Sequence, residues 1–225
     1  MKIKNIIIFG VFIFTLNSMA QTKKWKVNFH VGPQYNFFVD YNTTVKYNDS
    51  YITPIETYYG YDLLQKKPFG TIMGIEVSYI NKKNLIGISY QRSENYGLYN
   101  GEVQLQNTVF EIVDYKLRHL NNYFELNIKH NILNKNKFYW KVGLYLLNPS
   151  QDEIEIDLAS NTITLYRRTG FNFANLNEIG ILFGGDYIFY SNKYYELGIN
   201  TTYYFTVSTS SPEAFTIYPF ICLKF

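Results

Sequence analysis

The sequence predicts an all-β chain, an eight-stranded antiparallel up-and-down transmembrane β-barrel, on three observations. Eight segments alternate apolar and polar residues with a period of two, the signature of strands with one apolar face. The connections between them are short and long in strict alternation. The last segment, Phe215-Thr216-Ile217-Tyr218-Pro219-Phe220-Ile221-Cys222-Leu223-Lys224-Phe225, is apolar at 215, 217, 221, 223 and 225 and closes on an aromatic residue. Such a strand suits a barrel whose odd face meets lipid.

The first strand is the clearest. Trp25, Val27, Phe29, Val31, Tyr35 and Phe37 share one parity, broken only by Pro33, and Lys26, Asn28, His30, Gly32, Gln34 and Asn36 share the other. Met73, Ile75, Val77 and Tyr79 mark the second strand, and Ile86, Ile88 and Tyr90 the third. Phe124, Leu126 and Ile128 mark the fourth, and Phe138, Trp140, Val142, Leu144 and Leu146 the fifth. Ile179, Ile181 and Phe183 mark the sixth, and Tyr195, Leu197, Ile199, Thr201, Tyr203 and Phe205 the seventh. The fourth is the least regular. Its apolar parity changes between Val113-Tyr115-Leu117 and Phe124-Leu126-Ile128, which predicts a bulge or a separate loop strand near Leu120 to Asn122.

Asn81-Lys82-Lys83, Leu133 to Lys137 and Ser191-Asn192-Lys193 are short and rich in turn formers. The connections near 39–68, 93–119 and 148–176 are long, and Ser208 to Glu213 is shorter. Short periplasmic turns and longer outer loops produce this rhythm. The long connections carry Tyr41, Tyr47, Tyr51, Tyr58, Tyr59 and Tyr61, with Tyr35 at the strand rim, and alternating runs around Asn-rich turns. They read as hairpins that extend the barrel and offer rigid aromatic surface to a protein or glycan, or as an interfacial belt.

Residues 1–20 read as a signal peptide: Lys2 and Lys4, the apolar run Ile6 to Leu16, then Asn17-Ser18-Met19-Ala20 before Gln21. That run of 11 residues spans roughly 16 Å as a helix, about half a bilayer core. The domain is then 21–225, or 225 − 20 = 205 residues. Of 21 Lys+Arg and 18 Asp+Glu, the leader holds two lysines, leaving 19 − 18 = +1 and no argument for nucleic acid. One cysteine, Cys222, excludes an intrachain disulfide and suits an inward filler. The 23 Tyr and 18 Phe against 2 Trp exceed what a soluble domain carries. A mean hydropathy of −0.18 fits outward apolar residues averaged against inward polar ones.

A soluble sandwich or a soluble secreted barrel binding an apolar ligand would bury the apolar parity instead. The sandwich has little reason for the loop rhythm, and the polar parity, rich in glycine and opposite charges, suits a narrow lumen better than the solvated exterior of a soluble barrel. In the membrane reading the polar parity collects Lys26, Glu76, Glu125, Lys129, Lys141, Glu178, Asp186, Glu196 and Lys224 in the lumen. An eight-stranded barrel is just filled by side chains, so these charges are expected to form an ion-pair network rather than line a channel. The inward glycines Gly32, Gly74, Gly87, Gly143, Gly180, Gly184 and Gly198 are expected to make room for the long charged chains.

With Ala20-Gln21, eight alternating strands and Phe225, the chain resembles the small outer-membrane barrels represented by the OmpA and OmpX transmembrane domains. It is similar above all to the "outer membrane protein beta-barrel domain" group that includes PorT-like proteins. The resemblance covers 21–225. It implies an outer-membrane location and a non-enzymatic structural or assembly role. It also implies contacts with outer-membrane lipid, and with the barrel assembly machinery through the C-terminal strand, Phe225 being the insertion signal. No cofactor is implied. Resemblance to lipid A-modifying barrels would imply a Ser/His site at the outer leaflet. His119, with Ser208, Ser210 and Ser211 on the fourth loop, is the one candidate, while His30 lies inward and His130 at the periplasmic end. No spacing supplies the third group that would orient such a base. Three scattered histidines and no cysteine pair suggest no metal site.

Overall fold

Eight long strands close into a ring. The structure, a computed structural model, describes residues 24–37, 45–47, 50–52, 64–66, 68–105, 108–132, 137–157, 162–168 and 178–225. The expected signal peptide lies outside them. The ring consists of β1 (Trp25–Asn36), β5 (Phe69–Asn81), β6 (Asn84–Leu105), β7 (Thr108–Asn131), β8 (Phe138–Asp157), β10 (Glu178–Ser191), β11 (Tyr195–Thr206) and β12 (Ser211–Lys224). Each is antiparallel to the next, and β1 pairs with β12, so the up-and-down ring leaves no free edge. Among the described residues four short strands lie outside it: β2 (Val45–Tyr47), β3 (Ser50–Ile52), β4 (Leu64–Lys66) and β9 (Thr162–Arg168). β4 pairs with β6, β2 and β9 with β8, and β2 with β3.

The two faces are inverted relative to a soluble protein. Outward residues are apolar and exposed, among them Ile88 at 68%, Leu144 at 56% and Phe69 at 72%. Inward residues are polar and buried, Lys26, Glu76, Glu125, Lys129 and Lys141 among them. This is the inside-out distribution of a transmembrane barrel, and no helix is long and apolar enough to cross a membrane. On β6, β7 and β8 the apolar band stops abruptly. Tyr90, Phe124 and Leu146 give way to Arg92, Asn122 and Asn148, which share one register row. A strand needs about 9–11 residues to cross a bilayer, whereas these three run 22, 24 and 20 and so stand well beyond it.

The fourth ring strand corrects the sequence reading. β7 pairs with β6 without interruption from Asn84↔His130 to Tyr99↔Tyr115, so no bulge lies at Leu120 to Asn122. The irregularity sits further out, where the register shifts between Tyr99 and Gly101 and Asp114 takes φ 49°. Leu117 and Tyr123 are inward and Phe124, Leu126 and Ile128 outward on one unbroken strand. The change of parity has two sources: Val113 is exposed on the outward face beyond the irregularity at Asp114, and Leu117 is apolar on the inward face near the outer mouth.

Candidate functional site

The lumen is filled in layers. At the short-turn end Lys26 Nζ lies 2.6 Å and Lys224 Nζ 2.8 Å from the Glu196 carboxylate. Above them Lys129 Nζ bridges Glu76 at 2.8 Å and Asp186 at 2.7 Å. Asn127 donates to Glu76 and Asn200 to Asp186. Next comes Lys141 Nζ, 2.9 Å from Glu125, whose oxygens also accept from Ser89 at 2.6 Å, Gln91 at 2.5 Å and Tyr204 at 2.6 Å. Buried charge is costly unless paired and hydrogen-bonded, and here each carboxylate is both. The space left among Lys26, Glu76, Lys129, Asp186, Glu196 and Cys222 is about 10 Å³, room for no more than about one water.

Aromatic rings close the next layer. Tyr123, Tyr145 and Tyr204 pack with centroids 4.8 to 5.7 Å apart, together with Leu147, Leu182 and Ala214. Beyond them Gln34 Nε2 donates to Tyr123 Oη at 3.2 Å and Asn36 Nδ2 to Asn95 Oδ1 at 2.6 Å. Asn121 Nδ2 donates to Glu213 Oε1 at 3.1 Å, and Tyr123 Oη to the same oxygen at 3.5 Å.

Of the nine expected lumen residues, all but Glu178 take part in these ion pairs. Glu178 sits half-buried at the outer end of β10. Glu213, which the sequence reading left in a loop, is buried beside them. The register shift between Tyr204 and Phe205 makes Glu213 the extra residue of a bulge, and a bulge re-aims a side chain. Period-two counting has no way to find it. The glycines also differ in role from the expectation. A Cβ at Gly180 would overlap the Tyr145 ring, one at Gly198 the Phe220 ring, and one at Gly32 would come 2.5 Å from Tyr218 Cβ. They make room chiefly for rings and backbone. Gly87, beside Glu76, is the position that accommodates a charged chain.

The three histidines are dispersed. His30 stacks on Tyr218 at 4.1 Å, and His130 Nδ1 meets Asn84 Oδ1 at 2.7 Å on the outer face. His119 is buried, with Nε2 2.9 Å from Asn121 Oδ1, while Ser211 Oγ lies 2.7 Å from Thr209 Oγ1. Cys222 is buried against Leu85, Tyr139, Ile188 and Phe220. Phe225 and Trp25 exchange backbone hydrogen bonds of 2.9 and 3.3 Å, which joins the last strand to the first.

The strand extension has its own polar surface. Arg118 lies 3.6 Å from Glu94 and 3.5 Å from Asp152, Tyr96 donates to Glu94, and Lys116 Nζ stands 3.7 Å over the Tyr96 ring. The hydrogen bond to Glu94 raises the Tyr96 phenol, and burial pushes the Asp152 carboxyl up against the pull of Arg118.

No family model and no curated protein matches the chain. Among solved structures, Neisserial surface protein A is 11% identical over 91% of this chain and 98% of its own, with a TM-score of 0.40. Ail, the attachment invasion locus protein of Yersinia pestis, is 9% identical over 90% and 98%, with a TM-score of 0.40. The outer membrane protein OprG from Pseudomonas aeruginosa is 10% identical over 89% and 93%, again at 0.40. What the site can do is read from the chain's own residues: the lumen holds ion pairs and packed rings, and the extension carries the cluster of Glu94, Tyr96, Lys116, Arg118 and Asp152.

Proposed function

We propose that the chain is a non-enzymatic integral outer-membrane barrel. It seals its own lumen and holds a stiff sheet extension above the membrane for contact with a protein or glycan. The observation that carries this reading is the pairing of an exposed apolar band with a lumen in which Lys26, Lys129, Lys141 and Lys224 are each paired with a buried carboxylate. The β6–β7 ladder, which continues from the polar row at Arg92 and Asn122 out to Leu105↔Thr108, supports the display role. The pair is in continuous register from Arg92↔Asn122 to Tyr99↔Tyr115, which holds those residues in fixed relative positions and lowers the ordering cost of binding.

Cell fractionation and gel mobility test it. The protein is expected in the outer-membrane fraction, and its unheated form is expected to migrate differently from the boiled one. A soluble periplasmic protein with a single mobility would refute the reading.

A further inference from the structure

The short-turn end of the barrel carries a ring of exposed lysines in connections that hold no Asp or Glu, and the one carboxylate described near them, Glu196, is buried and paired with Lys26 and Lys224. Lys24, Lys82, Lys83, Lys137 and Lys193 are all exposed there. Lys23 and Lys135 fall in the same segments of the sequence and lie outside the described residues. None of the chain's 18 Asp and Glu falls in the short connections; each lies among the lumen residues or in or beside the long ones. The near-neutral domain is therefore strongly polarised, basic at one end and acidic at the other.

Two further observations bear on what this ring meets. Lys82 occupies a two-residue turn between the paired Asn81 and Asn84 with φ 57°, a conformation that asparagine or glycine adopts at lower cost. A lysine there trades conformational ease for a cation at that point. The ring also adjoins an aromatic girdle: Trp25 packs on Tyr79 at 5.1 Å, Tyr190 on Tyr195 at 5.5 Å, and Lys193 Nζ lies 5.6 Å from the Tyr194 ring. Such girdles mark the headgroup level of a bilayer. Turns this short hold their amines close to that level, out of reach of anything deep in the aqueous space.

We propose that the lysine ring at the short-turn end binds phosphate-bearing anionic lipid headgroups of the adjoining leaflet and anchors the barrel at a fixed depth. This rests on the membrane reading above. Each lysine near an anionic surface contributes about fivefold in affinity at low salt, and the contribution fades within a Debye length.

Both tryptophans, Trp25 and Trp140, lie near this end, so their fluorescence reports on lipid around the ring. The full chain is refolded into mixed vesicles of phosphatidylcholine and phosphatidylglycerol, with bromines on one lipid or the other. The expected result is several-fold preferential quenching by brominated phosphatidylglycerol at low salt, lost at about 1 M salt and lost in K82Q/K83Q/K137Q/K193Q. The variant's retained heat-dependent mobility shows that it still folds. Equal quenching by both lipids, or a preference unchanged in the variant, overturns the proposal. If sacculus binding depends on the lysines while lipid preference is absent, the ring serves an anionic polymer and the proposal fails. Quenching by neither lipid instead overturns the membrane reading beneath it.

Discussion

Glu125 is the most heavily bonded charge in the lumen, held by one lysine and three neutral donors, with Lys141 beside it equally sealed from solvent. In such a place the pair adds little net stability over apolar residues of the same size, while half of it alone is costly. Lys141→Met is expected to destabilise the barrel by about 3 kcal/mol in denaturant unfolding from vesicles. Lys141→Met with Glu125→Leu is expected to recover most of that loss. A double variant as unstable as the single one would mean that the pair holds the barrel together in its own right. At Gly180 the constraint is steric. Gly180→Ala would press a methyl into the Tyr145 ring and the Phe205 carbonyl, so a loss of about 1–3 kcal/mol is expected in the same measurement.

The ring strands and their pairing order are legible in sequence because lipid outside and ion pairs inside impose opposite chemistry on alternate residues. The rule fails where both faces become apolar or where register slips. On β7, Leu117 and Tyr123 fill the lumen near its outer mouth and mimic a lipid-facing parity, so a continuous strand reads as broken. Glu213 is reached only through a bulge. The ion-paired lumen charges are readable because each falls on the polar parity, whereas the buried tyrosines are not, since tyrosine suits belt, loop and core alike. The β6–β7 hairpin beyond Tyr96 and Arg118 is a separable element, because the rows that cross the band, and the lumen contacts of Asn95 and Asn121, are complete without it. Replacing residues 97–117 with an Asn-Gly turn is therefore expected to leave heat-dependent mobility intact while abolishing any binding of partner to whole cells. Loss of folding in that variant would place the hairpin in the barrel's core stability instead.

For the whole molecule, the decisive quantity is what separates the two mouths. An ion pathway needs a continuous wet route, and three ion-pair layers and a ring of tyrosines stand in series across this one. The space left among the two lower layers, about 10 Å³ between Lys26, Lys129, Asp186 and Glu196, holds no water file. Layers in series mean that removing one leaves the others in place. Purified protein in planar bilayers is expected to show no steps of conductance, and Tyr123→Ala with Tyr145→Ala and Tyr204→Ala is expected to remain silent, because the lysine–carboxylate layers below still fill the bore. Adding Lys129→Ala and Glu76→Ala to that set is expected to leave the protein silent as well, because the Lys141–Glu125 layer and the Glu196 layer with Lys26 and Lys224 still stand in the bore. Conductance in the unmodified protein would show that the layers move apart on the channel timescale, and the sealed lumen would then be one state of a gate.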